Sequence, residues 1–149
     1  MEPRLNPYKI APGARDALAA LQKYSTEHSL EPKLMELVKT RASQINGCAY
    51  CLAMHTRDAR KMGETEDRLY LLNAWDEVSI YNERERAALA WTEAVTKVSD
   101  GHVPDHVYAE ARKVFSEQEL VDLTMAIIAI NAWNRIAISF RAQPQLGGN

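Results

Sequence analysis

Apolar residues along this chain recur at intervals of three and four, and nowhere do they alternate with polar ones over a strand's length. That period belongs to helices that bury one face, so the pattern predicts an all-α chain. Ala17, Leu18 and Leu21 set a first helix over about Arg15 to Ser25, after Pro12 and Gly13. Pro32 suits a first helical turn; Leu34, Leu37 and Val38 follow it, and Asn46 with Gly47 makes a natural stop. A third helix runs from near Cys48 to just before Gly63, and Thr65 can cap a short one to about Asn73. Asn82 with Glu85 opens a helix to about Val98, and Pro104 starts one ending near Phe115. Ser116 with Glu119 forms a capping box for the last, which extends to about Arg141. The expectation is a helical bundle of six to seven helices, one domain over residues 1–149, with its core at about 32–141 and a frayed tail at 145–149.

The last helix is apolar nearly all round, from Leu120 and Leu123 through Ile127, Ile128 and Ile130 to Ile136, Ile138 and Phe140. A helix without a polar face is buried on most sides, here as the centre of the fold and as part of a subunit interface. Among its few polar positions, Asn131, Asn134 and Arg135 must find partners if buried, and a structural hydrogen-bond network is the expectation.

Composition narrows the function classes. Of 149 residues, 46% are apolar and 26% charged, and the formal net charge is −2. No global basic field exists to hold nucleic acid or an anionic membrane. Met1 to Asn6 lacks an apolar signal region, and the longest apolar run, Met125 to Ile130, is too short to span a bilayer. A cytoplasmic protein is expected. Thiols stay reduced there, so two cysteines three apart point to catalysis or metal binding and not to a structural disulfide.

The candidate chemistry is Glu36-x11-Cys48-x2-Cys51-x3-His55. On one helix Cys48, Cys51 and His55 fall within an arc of about 60° and share a face. Cysteines at this spacing have Cα atoms about 5–5.5 Å apart, within disulfide range. His55 lies one turn beyond Cys51, where an imidazole can take a thiol proton or hold a thiolate. An unbroken helix would leave Glu36 about 18 Å from Cys48, so it joins only if the chain reverses between them. Asn46-Gly47 is where reversal is cheapest, and it would put Cys48 at a fresh helix N-terminus. The helix dipole alone selects Cys48 as the acidic thiol; proximity to His55 selects Cys51.

Blander readings remain open. Two buried cysteines can simply pack, and both cysteines with His55 and Glu36 have the ligand types of a zinc site. A thioredoxin fold is excluded because it needs strands. Trp75, Trp91 and Trp133 read as core or interface more than as pocket lining. His102 and His106 read as a solvated helix start, His28 shows no partner, and Glu83 to Arg86 reads as an exposed face with local pairing.

The string from Gln44 to Thr56 (QINGCAYCLAMHT), the Glu36–His55 spacing and the run from Asn131 to Ala137 (NAWNRIA) resemble alkylhydroperoxidase AhpD-like proteins of the carboxymuconolactone decarboxylase superfamily. The resemblance spans roughly Pro32 to Arg141. It implies a helical fold assembled as a homo-oligomer, a trimer or hexamer, and thiol-dependent reduction of organic hydroperoxides with an external dithiol as reductant. It makes Cys51 the peroxidatic and Cys48 the resolving cysteine, with His55 and Glu36 as a proton relay, and calls for no cofactor or metal. One departure stands out: Tyr50 occupies the place before the second cysteine where well-studied members carry histidine, and a phenol is no base near neutrality. The relay is shortened, which implies weaker peroxidase activity or a different substrate. The rival functions are a decarboxylase-like activity on a lactone, which would not need the cysteine pair, and a redox-sensing oligomer that does not turn over.

Overall fold

The computed structural model describes residues 1–27 and 30–146. Among them every regular element is helical: α1 (Pro7–Ile10), α2 (Pro12–Tyr24), α3 (Pro32–Asn46), α4 (Ala49–Lys61), α5 (Glu66–Tyr70), a 3-10 helix (Leu71–Glu77), α6 (Glu83–Thr96), α7 (Asp105–Val114) and α8 (Glu117–Phe140). His28 and the last three positions of the tail lie outside the described residues.

All seven predicted helices are present, with ends displaced by a few residues. The addition is α1, four residues long and too short to show a period; the Asn6 side chain caps it by accepting from the N–H groups of Tyr8 and Lys9. The segment expected as one helix from Thr65 to Asn73 instead passes from α5 into the 3-10 helix, which kinks at Ala74. Both predicted capping boxes form, Asn82 with Glu85 and Ser116 with Glu119.

The main core joins α3, α6, α7 and α8 through Leu34, Val38, Ala88, Phe115, Leu123 and Ile127. Each such large apolar side chain contributes about 1.5–3 kcal/mol by leaving water. A second cluster, including Leu37, Leu72 and Leu89, covers the other side of α3. A third, small cluster holds Ala42, Cys48, Cys51 and Ile130 and seats both cysteines between α3, α4 and α8.

Three expectations change. The run Met125–Ile130 suggested nothing long enough for a bilayer, yet α8 as a whole is long and apolar enough by length and composition. In this fold it packs against α2, α3, α4, α6 and α7, and buries the polar side chains of Asp122, Asn131 and Asn134 inside the protein. Apart from the capping bond of Glu85 to Asn82, the run Glu83 to Arg86 pairs with distant segments and not within itself. Arg84 bridges Glu31 and Glu119, Glu85 pairs with Arg68, and Arg86 donates to the carbonyls of Trp75 and Val78, so the run clamps distant segments together. Trp133 lines a cavity, whereas Trp91 is buried as expected and donates to Thr124 Oγ1.

Candidate active site

The site starts at the end of α3. Gly47 adopts a left-handed backbone with φ 67°, a conformation that costs an L side chain free energy but not glycine. Its N–H and that of Cys48 bond back to the carbonyls of Gln44 and Ser43, closing α3. The chain reverses and α4 returns along α3 with Cys48 as its N-cap residue. The Cys48 sulfur accepts the backbone N–H of Cys51 at 3.4 Å, doing what a serine oxygen does at such a position.

The two sulfurs lie 2.8 Å apart, both are free thiols, and each residue is 1% exposed. They do not titrate alike. The Cys51 thiol donates to Cys48, and this bond, against the opposing effect of burial, lowers Cys48 to about 7; backbone N–H groups of the first turn and the Asn134 amide act in the same direction. Cys51, as the donor and buried beside a negative sulfur, is raised. Above about pH 7 the pair holds one proton between them, with the charge on Cys48 at the start of α4. Nearness to His55 had pointed to Cys51 as the acidic thiol. Among the described residues no hydrogen bond joins the His55 ring to either sulfur; the bond between the two sulfurs contributes most to the order, and the N–H groups at the helix end add to it.

The reversal brings Glu36 to His55. Glu36 Oε2 lies 2.8 Å from His55 Nδ1, and Glu36 Oε1 accepts from Lys39 Nζ at 2.8 Å. Burial raises the Glu36 carboxyl, but the bonds from His55 and Lys39 outweigh it and hold the group below its ordinary value. An ionised carboxylate only accepts, so His55 Nδ1 carries the proton, and in the neutral ring Nε2 is the basic nitrogen.

Both Cys51 and His55 line a cavity of about 760 Å³, together with Glu36, Tyr50, Tyr8 and Trp133. Cys48 does not line it. The N-terminal segment forms part of the wall: Arg4 bonds the carbonyls of Ser139 and Phe140 at the end of α8, and Tyr8 packs edge-on to Trp133. Apolar surface dominates, with polar groups at a few points, the usual make-up of a small-molecule site.

Residues 12–94 match the carboxymuconolactone decarboxylase family. The chain belongs to that family. Within the family it is 45% identical to the uncharacterised protein YdfG of Bacillus subtilis over 139 residues, covering 93% of this chain and 95% of that protein. A crystal structure of ATU0492 from Agrobacterium tumefaciens, a protein of unknown function given a provisional AhpD antioxidant-defence description, superposes with a TM-score of 0.95 at 42% identity, covering 98% of this chain and all of that one. The debrominase Bmp8 shares the fold alone, at 21% identity and a TM-score of 0.80, over 92% of this chain and 74% of its own.

For this AhpD-like carboxymuconolactone decarboxylase family member, the zinc arrangement of two sulfurs, His55 and Glu36 does not form. The donor atoms that do gather within 4.8 Å are those of Glu36, His55 and Asp58. Both Glu36 oxygens are already taken, one by a lysine ammonium that would repel a cation, so the set fits proton handling better than metal binding. His102 and His106 are exposed. Tyr50, the departure from the family pattern, is 40% exposed on the cavity wall. Sequence reasoning missed Lys39, although it stands three residues from Glu36 on one helix face. It missed Tyr8 and Trp133 as cavity residues because nothing local ties them to the cysteines.

Proposed function

We infer that the chain is a thiol-dependent peroxidase that reduces organic hydroperoxides, with Cys51 as the attacking sulfur, Cys48 as the resolving one, and His55 with Glu36 as the proton relay. The observation that carries this reading is the sulfur pair at 2.8 Å with one member, Cys51, on the wall of a cavity shared with a Glu36-oriented imidazole. The provisional AhpD description of the Agrobacterium protein supports it.

Above about pH 7 the pair is a Cys48 thiolate beside a Cys51 thiol. Transfer of the Cys51 proton to Cys48 puts the thiolate on the cavity wall. That sulfur attacks the distal oxygen of the hydroperoxide, the O–O bond breaks, and the departing alkoxide takes a proton delivered from solvent through His55. Cys51 is now a sulfenic acid. Cys48 gives up its proton and attacks the Cys51 sulfur; the S–S bond forms, and hydroxide leaves and takes that proton as water. The sum is one thiol, one thiolate, one proton and ROOH giving a disulfide, ROH and water. An external dithiol restores the pair by exchange. Glu36 keeps the imidazole in the tautomer that presents Nε2.

The apolar cavity suits a hydroperoxide with a sizeable organic body, and hydrogen peroxide would fill little of it. Assembly as a homo-oligomer belongs to the same reading. The test is consumption of an organic hydroperoxide with a dithiol donor. The wild type should turn over repeatedly, Cys51→Ser should not react, and Cys48→Ser should stop after one equivalent. Equal rates in wild type and Cys51→Ser would remove the assignment, and lactone decarboxylation that survives loss of both cysteines would replace it.

A further inference from the structure

We propose that the Arg15 guanidinium binds a carboxylate of the substrate, so that the site takes hydroperoxides with an acid group at the other end of an apolar chain, as in a fatty-acid hydroperoxide. This rests on the thiol-peroxidase reading of the site and names the class of hydroperoxide it selects.

The charged side chains on the cavity wall are Arg4, Arg15, Glu36, Lys39 and Asp58, with the His55 ring beside them. The two acids are answered from within the protein. Glu36 is bonded by Lys39 and His55, and Asp58 is bridged by Lys61 at 3.1 Å. The two arginines have no acid. Arg4 donates to the Ser139 carbonyl, a neutral partner. Among the described residues the Arg15 side chain makes no hydrogen bond or ion pair. The wall therefore carries a surplus of positive charge, in a chain whose formal net charge is −2. A guanidinium offers paired N–H donors in one plane, which match the two oxygens of a carboxylate.

Arg15 and Cys51 stand at different depths of the same cavity. Arg15 is exposed, so it lies where the cavity meets solvent, whereas Cys51 is 1% exposed. Arg15 belongs to the inward face of α2: Gln22, seven residues on and so on the same side of the helix, lines the cavity too. Much of the remaining wall is apolar. Trp133, Ile136 and Phe140, at intervals of three and four on α8, form a stripe about 10 Å long. A molecule with an acid at one end, an apolar middle and a hydroperoxide beyond it matches these three features. The acid meets Arg15 at the mouth, the chain lies on the α8 stripe, and the O–O bond reaches Cys51. The carboxylate takes no part in the cleavage of that bond. The Arg15 charge also offsets the repulsion between an anionic substrate and the Cys48 thiolate.

The test compares linoleic acid hydroperoxide with its methyl ester, which differ in charge and not in the reacting group. The readout is the ratio of their kcat/KM values, measured on the full-length protein with a dithiol donor. The wild type should favour the acid by about tenfold, the scale of one hydrogen bond between charged groups. Arg15→Gln should bring the two substrates toward parity, and Arg15→Lys should restore part of the preference. Lys97→Gln removes an exposed charge that does not line the cavity and should keep the wild-type ratio. A wild type without preference, a ratio that Arg15→Gln does not move, or one that Lys97→Gln lowers equally overturns the proposal and leaves the peroxidase reading in place. If neither hydroperoxide is reduced, the peroxidase reading fails and binding alone decides. Calorimetry on the wild type should then find octanoate bound more tightly than methyl octanoate, and Arg15→Gln should abolish the difference. Equal affinities of the wild type for the two overturn the proposal.

Discussion

Glu36 and His55, nineteen residues apart, meet at 2.8 Å because the chain doubles back at Gly47. The contact does two things. It supplies a partner for a buried carboxylate, and it leaves His55 Nε2 as the basic nitrogen of the neutral ring. Glu36→Gln keeps the shape but removes the charge that fixes the tautomer. The rate of hydroperoxide reduction should fall by about 10²-fold, within the range of general acid–base contributions. Stopped-flow kinetics on the pre-reduced protein will measure it.

The same carboxylate makes an acid limit to stability. Its folded value is lower than its unfolded one, since the His55 and Lys39 bonds outweigh burial. The resulting stabilisation is present in full above the ordinary carboxylate range and is lost as pH falls through the lowered folded value. Glu36→Gln should therefore flatten the dependence of the urea midpoint on pH on the acid side of about pH 4.5. An unchanged slope would show that the pair contributes nothing to folding.

Gly47→Ala tests the reversal itself. A Cβ at this position meets nothing within 4 Å, so no clash confuses the result and the cost is that of the left-handed backbone. The expected loss is about 1–2 kcal/mol, read by urea or thermal unfolding. The variant should also slow alkylation of Cys48 at pH 7, because the residue depends on this turn for its place at the N-terminus of α4.

Much of this arrangement was legible in the sequence because it is local. Pro32, Asn46-Gly47 and the two capping boxes mark helix ends through backbone chemistry that needs no tertiary context. The convergence of Glu36 on the Cys–Cys–His face followed from one assumed reversal. What stayed hidden was set by packing. Asn134 meets Asn46 and Ser43 only because α8 packs across α3. Tyr8 reaches the cavity through a segment that Arg4 ties to the end of α8 and through its own contact with Trp133. The order of the two thiols was hidden as well: the ring is nearest Cys51 by spacing, but its Nδ1 is bound to Glu36, and the largest contribution to the acidity of Cys48 is the contact between the sulfurs themselves.

The face of α8 turned away from the core carries Val121 and Ile128, 54% and 43% exposed. Apolar residues at a seven-residue interval on one helix face form a seam of the kind that buries against a second helix. A second copy of this chain is the occupant expected of a homo-oligomer. Val121→Glu with Ile128→Glu should lower the mass measured by light scattering or sedimentation without unfolding the chain, since neither side chain belongs to the buried core. A mass unchanged by the double substitution would place the interface elsewhere.

The cysteines make opposite predictions when removed one at a time. The largest contribution to the acidity of Cys48 is the hydrogen bond from the Cys51 thiol, so Cys51→Ala should move the Cys48 midpoint upward from about 7 toward the ordinary thiol value. Cys51 is raised because it donates to Cys48 and lies beside its negative charge, so Cys48→Ala should bring the Cys51 midpoint down. Thiolate accumulates above each midpoint. At pH 7 the first variant should therefore alkylate more slowly than the wild type, while the remaining Cys51 of the second becomes more reactive than it was in the pair. Mass spectrometry of iodoacetamide-labelled peptides over pH 5–10 will follow both. If the two midpoints stay where they are in the wild type, the sulfurs titrate independently, and the proton relayed between them in the proposed cycle does not exist.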